Sequence, residues 1–258
     1  MKNLINISDL ARSEILEILK LIDDIEVIES NPLKGKTIGL IFEKYSTRTR
    51  LSFHTGIFQL GGHPLEIDLN NLNLQRSESY ENTFQMFDQY LDLLIYRTDN
   101  HEKLLIAQKN FNKPIINALS DLSHPCQILS DFYTLRKKFS NQKNLLISWF
   151  GDMNNVLYSY FELLNIFPEI KLNVFTNKEI YEEKKIYFPK LENINIFYEI
   201  DNDQIAKSDC IMTDVYTSMN DKNSDKEKSL IKFQINKKIM NYTKNDCIFM
   251  HCLPAKIN

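Results

Sequence analysis

The sequence predicts an α/β protein of two α/β domains, each with a central, mainly parallel sheet flanked by helices. Three observations predict it. Short apolar runs alternate with helix-like stretches along nearly the whole chain, the pattern of a sheet covered on both faces. The runs are continuously apolar, as strands buried on both sides are. The length, 258 residues, corresponds to about two domains at roughly 150 residues each.

Each element follows in turn. Ile15, Ile18, Leu19 and Ile22 fall on one helical face. Ser8 is the expected N-cap. Asn31-Pro32 ends this region, because the residue before proline resists the helical conformation. Strands are expected at 37–42, 64–69, 93–96 and 114–119, with helices over 78–90 and 101–111. A helix over 126–139 leads to a second series, with strands at 145–150, 172–175, 194–198, 210–213 and 247–252 and helices over 155–167 and 226–240. The polar run Lys137, Lys138, Ser140, Asn141, Gln142 marks a boundary near 138–143, giving domains 1–138 and 139–258. The most polar stretch, 220–228, reads as an exposed loop leading into a helix.

Composition narrows the class. With 43% apolar and 25% charged residues the chain is ordinary for a globular protein. It is long enough to bury about 70–75% of its unfolded surface. A disordered chain, a collagen-like repeat and a disulfide-stapled miniprotein are excluded. The charge sum, 31 − 34 = −3, gives no footprint for nucleic acid. Cys126, Cys210, Cys247 and Cys252 form no C-x-x-C pair and no zinc-finger spacing. Reduced thiols in a cytoplasmic protein are expected. The N-terminus MKNLINISDL lacks a signal-peptide core. No apolar run approaches the roughly 18 residues of a membrane span.

Ligands of open α/β sheets bind beyond the carboxyl ends of the strands. After 37–42 comes E-K-Y-S-T-R-T-R, which packs Ser46, Thr47, Arg48, Thr49 and Arg50 into the start of a helix. Free N–H groups, hydroxyls and planar guanidinium forks suit a phosphate. The glycines and G-K-[ST] of a Walker loop are absent. The plainer alternative is a polar cap with solvated arginines. Arg97 follows 93–96, where a lone Arg is ordinarily a surface charge. Ser120 to Gln127 reads S-D-L-S-H-P-C-Q. There His124 could polarise a carbonyl and Gln127 read an amide, the alternative being a satisfied capping His. G-D-M-N-N, at 151–155, is βα-turn chemistry and not a nicotinamide fingerprint. Asp214 could hold an ammonium group. Cys252, at the last strand end, is either a cleft thiol or a buried inert one.

In order, F-x-K-x-S-T-R-T-R, R-T, H-P-C-Q, G-D-x-N-N, D-x-x-x-S-M and H-C-L-P-A resemble the transcarbamoylase family, and the last two motifs resemble its ornithine branch. The resemblance implies one α/β domain for carbamoyl phosphate and one for the amino acid. It implies transfer of the carbamoyl group to the δ-amine of L-ornithine, giving L-citrulline and phosphate, a step of arginine biosynthesis or the urea cycle. It implies no metal, no organic cofactor and a homotrimer with shared sites. Carried over residue by residue, Ser46, Thr47, Arg48, Thr49 and Arg97 hold phosphate. His124 polarises the carbonyl and Gln127 meets the carbamoyl amide. Asn155, Asp214, Ser218 and Met219 bind ornithine. Cys252 and Leu253 stand near the carbamoyl and δ-amino groups. Arg97, His124, Asp214 and Cys252 are the catalytic set.

The sequence departs from the family pattern at three places. Asn220 replaces the Gly of S-M-G, and Asn tolerates the left-handed conformation. Asn73 stands where the family has a Gln reaching a neighbour's site. The sequence ends at Asn258, before the family's H-R-G-E, a phosphate-contacting Arg and a returning helix. The expectation is a weakened carbamoyl-phosphate site. Two alternatives stay open: a sister transcarbamoylase with another amine substrate, and a non-catalytic carbamoyl-phosphate-binding protein.

Overall fold

The computed structural model describes residues 2–24, 30–72, 77–140, 142, 144–216, 224–253 and 255. Asn73, Asn141, Ser218, Met219 and Asn220, singled out above, lie outside the described residues. The chain divides into two compact units, Met1–Lys137 and Lys138–Asn258.

The first unit runs α1 (Arg12–Asp24), β1 (Thr37–Phe42), α2 (Arg48–Gln59), β2 (His63–Ile67), α3 (Tyr80–Tyr90), β3 (Leu93–Arg97), α4 (His101–Asn110), β4 (Ile115–Leu119) and α5 (Pro125–Lys138). Its four strands are all parallel in the order β2-β1-β3-β4. Alternation along β1 divides the core. Ile38 and Leu40 pack with Ile57 of α2, whereas Ile41 joins Phe84 and Phe87 of α3 and Leu104 and Ala107 of α4. Helices therefore cover both faces, which is why the strands read as continuously apolar. Phe84 is fully buried, with Phe87 and Tyr96 rings 6.0 and 5.9 Å away.

The second unit runs β5 (Leu146–Phe150), α6 (Asn155–Ile166), β6 (Lys171–Phe175), α7 (Lys178–Lys184), β7 (Ile194–Phe197), α8 (Asn202–Ile205), β8 (Cys210–Thr213), α9 (Ser224–Leu230), α10 (Lys237–Met240) and β9 (Ile248–His251). Its five strands are also parallel, in the order β7-β6-β5-β8-β9. Phe150, Phe175 and Phe197 stack across neighbouring strands at 4.5 and 4.9 Å. Gly151 follows β5 at φ +125°, and a Cβ there would lie 2.9 Å from the Tyr216 ring. Only glycine fits both constraints.

Three expectations are corrected. Ser8 caps no long helix; it lies in a 3₁₀ turn, Ile7–Asp9. Asp9 accepts the Ile5 and Asn6 N–H groups and closes that turn, so α1 starts only at Arg12. The single helix over 226–240 is instead α9, a 3₁₀ turn Ile231–Phe233, and α10. Leu230, Phe233 and Ile239 are all buried, yet at about 100° per residue one helix would turn Ile239 away from Leu230. The break at Gln234 brings it back, and Asn236 caps α10 through the Ile239 N–H at 3.1 Å. Finally, the helix after the polar stretch begins at Ser224, two residues before 226, and Lys226 is anchored on buried Asp152 at 2.7 Å. Among the described residues no helix is long and apolar enough to cross a membrane.

Phe84→Ala is expected to cost the first unit about 3–5 kcal/mol, the range for emptying a buried aromatic site. Urea denaturation followed by Tyr and Trp fluorescence checks it. An unfolding midpoint equal to wild type would contradict the packing described.

Candidate active site

In each unit the strand order reverses at one place, and the loops flanking such a switch point border a crevice. In the first unit the switch lies between β1 and β3. Phe42, Arg97 and Leu119 share one register across β1, β3 and β4. The three strands thus end together, and their loops emerge about 5 Å apart. The register shifts between Tyr96 and Arg97, and an irregularity of this kind re-aims a side chain.

From these loops the structure gathers Ser46, Thr47, Arg48, Thr49, Arg97 and His124. Arg97 Nη1 donates to Ser46 Oγ at 3.2 Å. Its Nε is buried without a hydrogen-bond partner, and Arg97 has no carboxylate among the described residues. Burial lowers its pKa. A half-buried cation without a counter-charge is costly, and a bound anion relieves that cost. Thr47, the residue before α2, makes no side-chain capping bond, so the first-turn N–H groups of this twelve-residue helix are not taken up by its own N-cap side chain.

The two arginines of S-T-R-T-R separate here. Arg50 donates twice to Glu66, at 2.9 and 2.6 Å, and lies over the Phe42 ring. Arg48 is exposed and has no carboxylate partner among the described residues. Arg50 is structural, and Arg48 is the one left for a ligand.

Burial pushes the His124 imidazole down to about 3, and the Arg97 charge adds to the effect. The ring is therefore neutral at pH 7. It can donate one hydrogen bond to a carbonyl oxygen without being an acid of ordinary strength. Gln127, one turn into α5, donates to Asp131 at 2.9 Å along its own helix. Cys126 donates to the Asn117 carbonyl at 3.4 Å, and burial pushes its thiol up to about 12, which makes it the inert cysteine of this loop.

In the second unit the switch lies between β5 and β8. Phe150, Thr213 and His251 share a register, so Asp214 and Cys252 leave adjacent strand ends. The Asp214 carboxylate accepts from Asn154 Nδ2 at 2.8 Å, from the Val215 N–H at 2.7 Å and from the Cys252 thiol. Asn154 also caps α6 through the Leu157 N–H at 3.0 Å. Sequence reasoning chose Asn155 and missed Asn154; the N-cap position opening α6 was the available signal. Asn155 opens α6 half-buried, and Leu253 is 63% exposed. Asp152 of G-D-M-N-N is 6% exposed and paired with Lys184 and Lys226 at 3.2 and 2.7 Å. It pins α7 and α9 to this turn, a structural role beyond turn chemistry.

Asp214, His251 and Cys252 hold one oxygen, one nitrogen and one sulfur ligand atom within 4.8 Å of one another. That donor set suits a borderline-soft ion such as zinc. The same carboxylate suits a substrate ammonium group equally well by charge.

The sequence matches two family models. One, described as the aspartate/ornithine carbamoyltransferase carbamoyl-P binding domain, covers residues 2–137. The other, the Asp/Orn binding domain of the same family, covers residues 143–258. The ornithine carbamoyltransferase of Methanocaldococcus jannaschii is 40% identical over 233 residues, 86% of this chain and 76% of that protein. The structure of the ornithine carbamoyltransferase from Pyrococcus furiosus aligns with a TM-score of 0.88 and 30% identity, over 98% of this chain and 85% of that one. The aspartate transcarbamoylase of Trypanosoma cruzi, solved with carbamoyl phosphate, aligns at 0.78 and 21% identity, over 98% and 85%; that likeness is one of fold.

His124 predicts an acid limb of stability. Below 6.5, the ordinary imidazole value, the unfolded chain binds a proton that the folded chain refuses until about 3. Stability is then fully present above 6.5 and falls as pH falls through this window. Urea unfolding of wild type and His124→Gln at neutral and mildly acidic pH reads it. The variant should lose less stability on acidification, and equal losses would refute a neutral, buried ring.

Proposed function

The chain belongs to the aspartate/ornithine carbamoyltransferase family, and we propose that within it the substrates are carbamoyl phosphate and L-ornithine, the products L-citrulline and phosphate. The observation that carries the first substrate is Arg97. It is a guanidinium with a buried, unpartnered Nε, hydrogen-bonded to Ser46 at the start of α2. A phosphate there meets Ser46, Thr47, Arg48 and Thr49, with N–H groups and a positive helix end behind them. The carbamoyl oxygen then takes a hydrogen bond from neutral His124 and charge from Arg97, and the carbamoyl amide donates to Gln127 Oε1, the atom its Asp131 bond leaves over.

The chemistry asks little else of the protein. The nucleophile is the substrate's own amine. Negative charge grows on the carbonyl oxygen as the amine attacks, and preorganised donors at that oxygen are ordinarily the largest catalytic contribution. The C–O bond to phosphate then breaks, and departing phosphate takes the amine proton. In the second unit Asp214, oriented by Asn154 and Cys252, attracts the ammonium form and, as general base, takes up the proton that the amine must lose before it attacks. Asn155, Ser218 and Met219 are assigned to the amino-acid end and Leu253, with Cys252, to the carbamoyl end.

Ornithine is favoured over aspartate by Asp214, because a carboxylate held at a strand end repels an acidic co-substrate. The relatives named ornithine carbamoyltransferase support the same choice. We assign a homotrimer as the assembly. Exposed Leu51 and Phe58 on α2 support it.

Two measurements test the proposal. Arg48→Ala should cost carbamoyl-phosphate binding about 1.5–3 kcal/mol, the range for a hydrogen bond to a charged group; unchanged affinity by calorimetry would remove Arg48 from the site. With ornithine and aspartate supplied at equal concentration, citrulline should form far faster than the carbamoylated acid. A preference for aspartate would reverse the substrate assignment.

A further inference from the structure

The first turn of α4 carries no residue of the anion site, yet it touches all three loops that do. Lys103 Nζ donates to both carboxylate oxygens of Glu43, at 2.9 and 3.0 Å. Glu43 is the first residue after β1. Its N–H donates to the Arg97 carbonyl at 3.0 Å, and its carboxylate also accepts from the Tyr96 and Thr98 hydroxyls. Glu43 thus locks the loop carrying Ser46 to the strand end carrying Arg97. Burial alone would lower the Lys103 ammonium, but the carboxylate raises it above the ordinary lysine range, so Lys103 is a cation.

Two residues earlier, His101 reaches the third loop. Its Nδ1 lies 2.8 Å from Ser120 Oγ, and its backbone N–H donates to Asp121 Oδ1 at 2.7 Å. Ser120 Oγ in turn accepts the Ser123 N–H at 3.1 Å, and Ser123 immediately precedes His124. Asn100 closes the set, accepting the Glu102 N–H at 2.9 Å and donating its own N–H to Thr98 at 3.2 Å. His101 is 8% exposed, and the side chains of Lys103 and Glu43 are 24% and 12% exposed. Contacts this shielded hold geometry better than surface pairs do.

We infer that Lys103 and His101 are positioning residues of the anion site: Lys103 sets Arg97 and Ser46 through Glu43, and His101 sets His124 through Ser120. The inference rests on the carbamoyl-phosphate reading of the site. Neither side chain acts on the reacting atoms; each fixes where a group that does act is held.

The test uses the full chain with Lys103→Met, Lys103→Arg, His101→Leu and His101→Asn, and inorganic phosphate and carbamoyl phosphate as probes. Misplacing a contact by a fraction of an ångström to one ångström costs about ten-fold or more. Lys103→Met should weaken both anions by about that factor in calorimetry, and Lys103→Arg should recover most of it. His101→Leu should leave phosphate affinity nearly unchanged and lower kcat by about ten-fold with the ornithine KM unmoved, and His101→Asn should recover kcat. NMR of labelled histidine reads the His124 ring without any ligand; its resonances should move in His101→Leu and return in His101→Asn. Residues that only stabilise the unit would lower the melting temperature while Kd, KM and the His124 resonances of the folded protein stay as in wild type. That result overturns the inference. A wild type that binds neither anion overturns the carbamoyl-phosphate reading instead, and the His124 resonances then decide the positioning role by themselves.

Discussion

Parallel strands that end in register are the constraint on which both halves of this protein depend. Phe42, Arg97 and Leu119 stand opposite one another in one sheet, and Phe150, Thr213 and His251 in the other. Parallel pairing sends every chain direction the same way, so all the turns that follow these residues open on one edge. The reversal of strand order between β1 and β3, and again between β5 and β8, separates two of those turns enough to admit a ligand. The side chains that carry chemistry are short of regular structure by only one to a few residues. Their positions are therefore set by the rigid sheet, and little by the loops themselves.

Charge burial is the second organising demand. Among the described residues, several shielded carboxylates are matched by lysine. Glu43 meets Lys103, Asp152 meets Lys184 and Lys226, and Asp209 meets Lys244 and the Leu146 N–H. Removing one member of such a pair leaves the other charge uncompensated, which costs far more than the pair itself contributes. Arg97 breaks the pattern, with a buried Nε and no carboxylate among the described residues. The exception stands at the switch point beside the open end of α2. A stable protein tolerates such a group where a ligand completes it.

The transferase reading was legible in the sequence to an unusual depth, for a physical reason. S-T-R-T-R, H-P-C-Q and H-C-L-P-A are each contiguous because a strand end and the turn behind it are contiguous, so the chain writes each fragment of the site in one place. Strand cores were legible for the same reason: residues 37–42 and 210–213 are strands with the bounds that apolar runs give them. Local pattern failed where tertiary contacts decided. Ser8 has the chemistry of a cap, but Asp9 closes the turn there. Residues 226–240 have helical periodicity in part, but three buried side chains demand a break at Gln234.

By itself, the sequence determined the fold class, the two series of strands and the candidate residues that follow the strand ends. Those depend on patterns within a few residues of each other, and short-range patterns survive in a string of letters. Only the tertiary structure decided what depends on residues far apart in the chain. It separated Arg48 from Arg50 through Glu66, and it made His124 neutral by burying it beside Arg97. It gave Asp214 its partners, Asn154 and Cys252, from positions 60 and 38 residues away. It also brought Lys103 to Glu43 across 60 residues. A carboxylate's partner is chosen by packing, and packing is settled only when the sheet has closed.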